Sequence, residues 1–198
     1  MNYSVYPTLL DAYAFHKKFP TEEKTAEFFD KLNRKPTQIT PQIQKGIDFN
    51  NLVDSYINGK GVVPPTNKLE VIASDIARII SLDGPVEIQK YIEGTILVDG
   101  ATVKLYGFVD YLTPGRIWEL KTTAKYRPFF LSDRWQRFFY MYCLPRVPKF
   151  TFITTDFNKH YLCEFNSSDQ DKLVEGLRDF IGFIEKNKDK INNPTLFS

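Results

Sequence analysis

The segment from Val86 to Lys121 alternates apolar and polar residues with a period of two, and this pattern constrains the fold more than any other feature of the sequence. Strands show this period because successive side chains point to opposite faces of a sheet. Two turn signals divide the segment, Asp99-Gly100 and Thr113-Pro114-Gly115-Arg116, and Asp-Gly is a favoured two-residue hairpin turn. The sequence therefore predicts a three-stranded antiparallel meander with strands over 86–97, 102–112 and 116–121.

Helical periodicity lies on both sides of this meander. Apolar residues recur every three to four positions there, and Thr40-Pro41 and the Asn67/Glu70 pair are typical helix starts. The predicted helices span 6–19, 22–32, 41–57, 67–80, 133–144 and 168–187. Two further strands are predicted over 149–157 and 161–165, and residues 192–198 are expected to fray. The expected fold is α/β, or α+β by layer, with a central mixed β-sheet flanked by helices.

A chain of 198 residues with 25% charged residues has the size and composition of one ordinary globular domain. We expect a helical N-terminal part over 1–82 and a core over 86–187. The net charge of +2 excludes a uniformly basic protein, so any nucleic-acid surface must be a local patch. The 15% aromatic content suits either core filling or base stacking.

The remaining composition excludes several other classes of site. Cys143 and Cys163 are separated by twenty positions, which matches neither a disulfide framework nor a zinc site, and His16 and His160 are isolated. No apolar run approaches the roughly 18 residues that a membrane span requires, and no signal sequence follows Met1. We expect an intracellular, cytoplasmic protein without a membrane partner.

Three charged residues, Asp110, Glu119 and Lys121, lie where the second and third strands of the meander run side by side. Alternation places Ile117, Glu119 and Lys121 on one face, and Asp110 is close enough to the end of its strand to reach that face. Two carboxylates beside an ammonium group are typical of a site for a hard cation. The alternative is that all three are solvated on the polar face of a half-exposed sheet.

The spacing of these residues resembles a known signature. Asp110, eight intervening residues and Glu119-x-Lys121 resemble the motif of the PD-(D/E)XK nuclease superfamily, and Gly107-x-x-Asp110 is typical of its RecB-like branch, which includes Cas4-type and many phage nucleases. Gln136-x-x-x-Tyr140 is similar to the Gln/Tyr motif of that branch. Two cysteines cannot supply the four-cysteine iron-sulfur cluster of many Cas4-like relatives. The resemblance is therefore to phage-type members without a cluster.

The resemblance implies a restriction-endonuclease-like core and a role for each motif residue. Asp110, Glu119 and the Leu120 backbone carbonyl would hold Mg²⁺ or Mn²⁺. Asp110, Glu119 and Lys121 would form the catalytic set, in which Lys121 positions or helps to deprotonate the attacking water and offsets charge on the scissile phosphate. Gln136 and Tyr140 would contact the nucleic-acid backbone or brace the metal ligands.

Two positions are open as additional metal ligands. Gly46-x-x-x-Asn50 is similar to a Gly-x-x-x-His motif whose histidine can bind the metal, and an amide oxygen at Asn50 can still coordinate magnesium. The alternative for Asn50 is an ordinary surface position on a helix. An acidic residue from an early element often joins the site in this superfamily, and Glu87 and Glu93 are the candidates unless both are solvated.

A basic and aromatic connection, residues 122–130, follows the third strand and includes Phe129 and Phe130. Phosphate contacts from this region would give affinity without sequence preference. The predicted nucleic-acid-binding cations, in this connection and on the helix after it, are Lys125, Arg127, Arg134 and Arg137.

The implied activity is metal-dependent hydrolysis of phosphodiester bonds, in DNA rather than RNA, by an exonuclease or endonuclease of recombination, repair or phage replication. An oligomer or a recombination-protein partner is compatible with it. One alternative is a catalytically silent nuclease-fold domain that binds nucleic acid or a protein partner. Another is a structural or assembly component that uses the same scaffold.

Overall fold

A six-stranded mixed sheet forms the centre of the protein in a computed structural model, which describes residues 2–59, 64–127, 131, 134–166 and 169–197. Phe129, Phe130 and the predicted helix starts at residues 133 and 168 lie outside these ranges. The strands, in chain order, are β1 (Asn2–Val5), β2 (Glu87–Val98), β3 (Ala101–Thr113), β4 (Arg116–Thr122), β5 (Lys149–Thr155) and β6 (His160–Phe165).

The predicted meander is present as β2, β3 and β4, which pair antiparallel. Asp99 and Gly100 form the first turn with φ values of 48° and 81°, the left-handed backbone that a two-residue hairpin turn requires. The sheet becomes mixed because β4 pairs parallel to β5 and β1 pairs parallel to β3. β6 completes it, antiparallel to β5.

Six α-helices cover the sheet in the described residues, and their positions agree with the predicted ones. The helices are α1 (Pro7–Lys18), α2 (Glu22–Leu32), α3 (Pro41–Asn58), α4 (Lys68–Ser81), α5 (Trp135–Cys143) and α6 (Gln170–Lys186). The expected fold class, a central mixed sheet flanked by helices, is confirmed. No helix in the described part of the chain is both long and apolar enough to cross a membrane.

Two hydrophobic clusters lie on opposite faces of the sheet. Ile117 belongs to the cluster under α1, α2, α5 and α6, whereas its neighbour Trp118 belongs to the cluster under α3 and α4. Adjacent strand residues point to opposite faces, so the two helical groups enclose the sheet between them. β4, the strand that carries Glu119 and Lys121, is buried from both sides.

Two expectations for the chain ends were wrong. The first described residues form β1, a four-residue strand that the sequence does not predict, so the region before residue 82 is not purely helical. Residues 192–197 do not fray, because Leu196 is buried and the Asn193 side chain donates a hydrogen bond to the Leu32 carbonyl at 2.8 Å. Both ends are held by tertiary contacts that no local pattern reveals.

Candidate functional site

A gap in the sheet lies along one edge of β3. On this edge Thr102–Leu105 pairs with β1 and Tyr111–Thr113 pairs with β4, while the ladders recorded in the described residues leave 106–110 between these two partners. Other groups occupy the gap in place of a strand. The Tyr140 hydroxyl donates to the Phe108 carbonyl at 2.8 Å, and the side chain of Asp110 accepts from the backbone N–H of Leu120 at 2.8 Å.

Asp110 is held at both of its carboxylate oxygens. Oδ2 accepts from the Leu120 N–H, and Oδ1 accepts from Nε2 of Gln89 at 3.1 Å. In a strand the N–H and C=O of one residue point to the same side. The Leu120 carbonyl therefore points to the same side of β4 as the N–H that Asp110 engages.

The strict alternation of β3 breaks at Asp110. Val109 packs under α1 and α5, whereas Tyr111, two residues later, packs under α3 and α4. Gln89, beside Asp110 on β2, has a φ of 49°, a left-handed conformation that few non-glycine residues adopt. This local reversal turns Asp110 toward the Glu119 side of the sheet.

Glu119 is only 4% exposed, which excludes the alternative of a solvated polar face at this residue. Its Oε1 accepts from the ammonium of Lys121 at 2.7 Å and from the amide of Gln136. Within the described residues, Oε2 is buried and has no hydrogen-bond partner. One oxygen is thus fixed in orientation, and the other is free to bind a ligand.

Burial, and then the nearby carboxylate of Asp110, raise the pKa of Glu119 to about 7, although Lys121 and Gln136 oppose the shift. Burial likewise raises the pKa of Asp110, against the ammonium of Lys121 and the Leu120 N–H. The two carboxyls therefore compete to remain charged beside a single ammonium. A divalent cation would relieve this competition.

The two remaining motif residues on α5 brace the site from inside the protein. Gln136 and Tyr140 are 2% and 3% exposed, so their burial favours the bracing role over contact with nucleic acid. A Cβ at Gly107 would lie 3.2 Å from the Tyr140 ring and 3.3 Å from Pro7. Gly107 is therefore the residue that lets Tyr140 approach β3, which joins the two motifs physically.

Helix α3 approaches the gap from the other face. A Cβ at Gly46 would lie 2.8 Å from Oγ1 of Thr122, so glycine permits close contact with β4. Two turns later Asp54 accepts from the Tyr111 hydroxyl at 2.8 Å. Asn50 lies between these two contacts on the same side of the helix, half-buried, which places it along the β3–β4 boundary.

Three of the predicted cations line one cavity beside Lys121, at the carboxyl ends of β4 and β5. These are Lys125, Arg127 and Arg134. Arg134 also pairs with Asp11 of α1, whose carboxylate accepts from the Trp135 N–H at 2.7 Å and so caps α5. The fourth cation, Arg137, lies elsewhere: its guanidinium stacks 4.1 Å from the Phe138 ring and 4.2 Å from the Phe165 ring.

The structure does not bring the two candidate glutamates of β2 into the site. Glu87 is exposed and pairs with Lys90, and Glu93 is exposed and pairs with Lys104. Sequence reasoning missed three other residues near the gap, namely Gln89, Asp54 and Asp11. Of these three, only Asp54 could have been found from the sequence, because it lies one helical turn beyond Asn50 on the same face as Gly46.

The donor set fits a small divalent cation. No group of three or more His, Cys, Asp or Glu side chains is arranged for metal binding within the described part of the chain. Asp110, Glu119 and the Leu120 carbonyl nonetheless offer oxygen ligands only, and the unpartnered Oε2 of Glu119 is one of them. Mg²⁺ commonly binds through one or two carboxylates and keeps several waters, and Mn²⁺ accepts the same oxygen donors.

No protein-family model matches the chain, and no curated protein matches it. Among solved structures, that of SSO0001 is similar, with a TM-score of 0.57 and 13% sequence identity over 91% of this chain and 75% of that one. At this identity the likeness concerns the fold alone. It supports the architecture of a mixed sheet between two helical layers.

Proposed function

We propose that this protein is a nuclease that uses Mg²⁺ or Mn²⁺ to hydrolyse phosphodiester bonds, with DNA as the substrate. The observation that carries the proposal is the buried Glu119 carboxylate, which has one free oxygen and lies next to Asp110 and Lys121. Stability alone does not favour such a group, because an unpaired buried polar atom costs about 1–3 kcal/mol. The resemblance to the RecB-like motif is a second, independent support.

Asp110, Glu119 and the Leu120 carbonyl would hold the cation, and Gln136 would keep Glu119 in its binding orientation. When bound, the cation would supply a water that is nucleophilic near neutral pH and would stabilise negative charge on the phosphate. Lys121 donates to Glu119 and also lines the cationic cavity, so its ammonium group can orient the attacking water and face the scissile phosphate.

The overall reaction adds water across one P–O bond. The water oxygen joins phosphorus, the ester oxygen leaves with a proton, and the products are one phosphate end and one hydroxyl end. Lys125, Arg127 and Arg134 would hold neighbouring phosphates without reading the sequence. The protein would therefore cut with little base preference.

The test is cleavage of end-labelled linear and covalently closed DNA, single- and double-stranded, in Mg²⁺, Mn²⁺ or EDTA. We expect metal-dependent cutting that falls by at least about 1,000-fold in Glu119→Ala and Lys121→Ala, because each removes a group that contacts the cation or the phosphate. Glu87→Ala is the matched control, since it deletes an exposed carboxylate of the same sheet, and it should cut like the parent.

Loss of cutting in the control as well would show a general folding defect and contradict the assigned roles. Protein that binds DNA in EDTA but cuts under no condition would instead favour the silent nucleic-acid-binding alternative. Asn50, where the resembling motif has histidine, would then be the first position to change.

A further inference from the structure

A cavity of about 380 Å³ opens beside Lys121, at the carboxyl ends of the parallel strands β4 and β5. Ligands of open α/β sheets commonly bind at this end of parallel strands. Four cations and no carboxylate belong to the described residues that line the cavity, and the cations are Lys121, Lys125, Arg127 and Arg134. Lys121 pairs with Glu119 and Arg134 with Asp11, so the excess positive charge comes from Lys125 and Arg127.

Thr154 adds an unsatisfied polar group to the same cavity. Its side chain is 4% exposed, and its Oγ1 has no hydrogen-bond partner among the described residues. A buried hydroxyl without a partner costs about 1–3 kcal/mol. A ligand oxygen in the cavity would accept a hydrogen bond from this hydroxyl and so remove the cost.

Residues at the border of the cavity contact β5 and β6. The loop after β4 is tied to β5 where the Thr123 N–H donates to the Thr155 carbonyl at 2.9 Å. The Tyr126 ring then lies flat on the Tyr161 ring of β6, with centroids 3.8 Å apart and planes 7° apart. Thr123 and Tyr126, on either side of Lys125, are therefore held against the sheet. Lys121 also lines the cavity and connects it to Glu119.

We propose that this cavity holds the terminal phosphate of a DNA strand, which makes the protein an end-dependent exonuclease. A terminal phosphate carries about 1.5–2 negative charges at pH 7, whereas an internal phosphodiester carries one, so the excess charge of Lys125 and Arg127 favours the strand end. The free hydroxyl of Thr154 adds a hydrogen-bond donor for a phosphate oxygen. The exonuclease role rests on the proposed nuclease function, but the preference for a phosphate end does not.

The test measures binding in EDTA, where no cutting is expected. Fluorescence anisotropy compares a short single strand of DNA with a 5′-phosphate, with a 3′-phosphate, and with hydroxyls at both ends. We expect one of the two phosphorylated strands to bind at least about tenfold more tightly than the hydroxyl-ended strand. At constant ionic strength, inorganic phosphate should displace the tighter strand selectively.

Arg127→Ala and Thr154→Val should lower this preference to near unity, because they remove a cation and the free hydroxyl from the cavity. Arg146→Ala is the matched control: Arg146 is an exposed loop arginine after α5 and is not among the residues that line the cavity. It should keep the full preference. Thr154→Val should fold at least as well as the parent, since its hydroxyl has no protein partner to lose.

Equal affinity for all three strands would overturn the inference and leave an ordinary backbone-binding groove, even if the protein cuts DNA. Inorganic phosphate that binds alone as tightly as the phosphorylated strand would also overturn it, since the cavity would then be a free-phosphate site. A clear preference for one phosphate end without any cutting in Mg²⁺ would sustain the binding inference while the proposed nuclease function fails.

Discussion

The carboxylate of Glu119 is buried beside a second carboxylate and is paired with one ammonium group. Its pKa of about 7 in the folded protein lies above the ordinary value of 4.5. Between these two pH values the folded state keeps a proton that the unfolded chain has lost. The free energy of unfolding therefore falls as the pH rises through this window and is constant with respect to Glu119 above it.

Replacing this carboxylate by an amide should stabilise the metal-free protein. We expect Glu119→Gln to raise the free energy of unfolding by on the order of 3 kcal/mol at about pH 8, because the uncharged amide avoids the desolvation of a carboxylate. The gain should nearly vanish at about pH 5, where Glu119 is protonated. Urea denaturation in EDTA at both pH values measures it.

Glu87→Gln serves as the reference variant, since Glu87 is exposed on the same sheet and should change stability little at either pH. Identical stabilities of Glu119→Gln and the parent at the higher pH would contradict a costly buried charge at this position.

Under the proposed function, we expect Gln136 to act through Glu119 rather than by contact with DNA. Its amide donates to Glu119 Oε1 from inside the core, so Gln136→Ala removes the group that orients this proposed metal ligand. We expect the affinity for Mn²⁺ to fall by about 10–100-fold, with a smaller loss of cutting than in Glu119→Ala. Isothermal titration with Mn²⁺ measures the first effect without any need for catalysis.

Tyr142→Phe provides the comparison on the same helix. Tyr142 donates to the Thr95 carbonyl, away from the gap, so its loss should leave the Mn²⁺ affinity unchanged. Equal affinities in Gln136→Ala and the parent would reduce Gln136 to a packing role.

At the scale of elements, α5 is the part that assembles the site. In this nine-residue helix, Gln136 donates a hydrogen bond to Glu119 and Tyr140 donates one to the Phe108 carbonyl. The first N–H of the helix is capped by Asp11 of α1. Its start packs on α6 through Trp135, whose ring lies against Gly176. The position of Gln136 therefore depends on a helix–helix contact that contains no site residue.

Gly176→Ala should disturb the site from a distance. The added Cβ would lie 2.1–2.8 Å from three atoms of the rigid Trp135 ring, so α5 or α6 must shift. We expect a loss of about 1–3 kcal/mol in stability, together with weaker Mn²⁺ binding because Gln136 moves with the helix. Chemical denaturation and titration with Mn²⁺ measure the two effects.

The control lies in the same helix. A Cβ at Gly182 meets no heavy atom within 4 Å, so Gly182→Ala should stabilise the protein by roughly 0.5–1 kcal/mol through the better helix propensity of alanine. Parallel behaviour of the two alanine variants would exclude a specific role for the Trp135 contact.

At the scale of the whole molecule, the two helical layers pack on opposite faces of the sheet, and the gap in β3 lies between them. A cation bound there should stabilise the folded state, by about 2.7 kcal/mol at one hundred times its dissociation constant. For a chain of this length we expect Mn²⁺ to raise the melting temperature by about 5–10 °C. The rise should be larger at about pH 8 than at about pH 6, because Glu119 must lose its proton to bind the ion.

Differential scanning calorimetry with and without EDTA measures this shift. Glu119→Gln should show little or no rise at either pH. A rise of the same size in the parent and in this variant would mean that the ion binds somewhere other than the gap.

Local physics in the sequence determined most of the elements of this protein. Alternation over 86–121, the Asp99-Gly100 turn and the helix caps act over a few residues, so they can be read without the fold. The candidate residues Asp110, Glu119 and Lys121 were likewise found by spacing, and Gln136 and Tyr140 by their motif.

The tertiary structure alone decided what these residues can do. Glu119 is buried, and has its raised pKa, because elements distant in sequence pack around it, among them α5 with Gln136. The gap exists because β1, which is too short to predict, pairs with one end of β3, while β4 pairs with the other end. Arg137 stacks on Phe165 and does not line the cationic cavity. Burial and contact between residues distant in sequence depend on how elements pack, and local periodicity does not predict that packing.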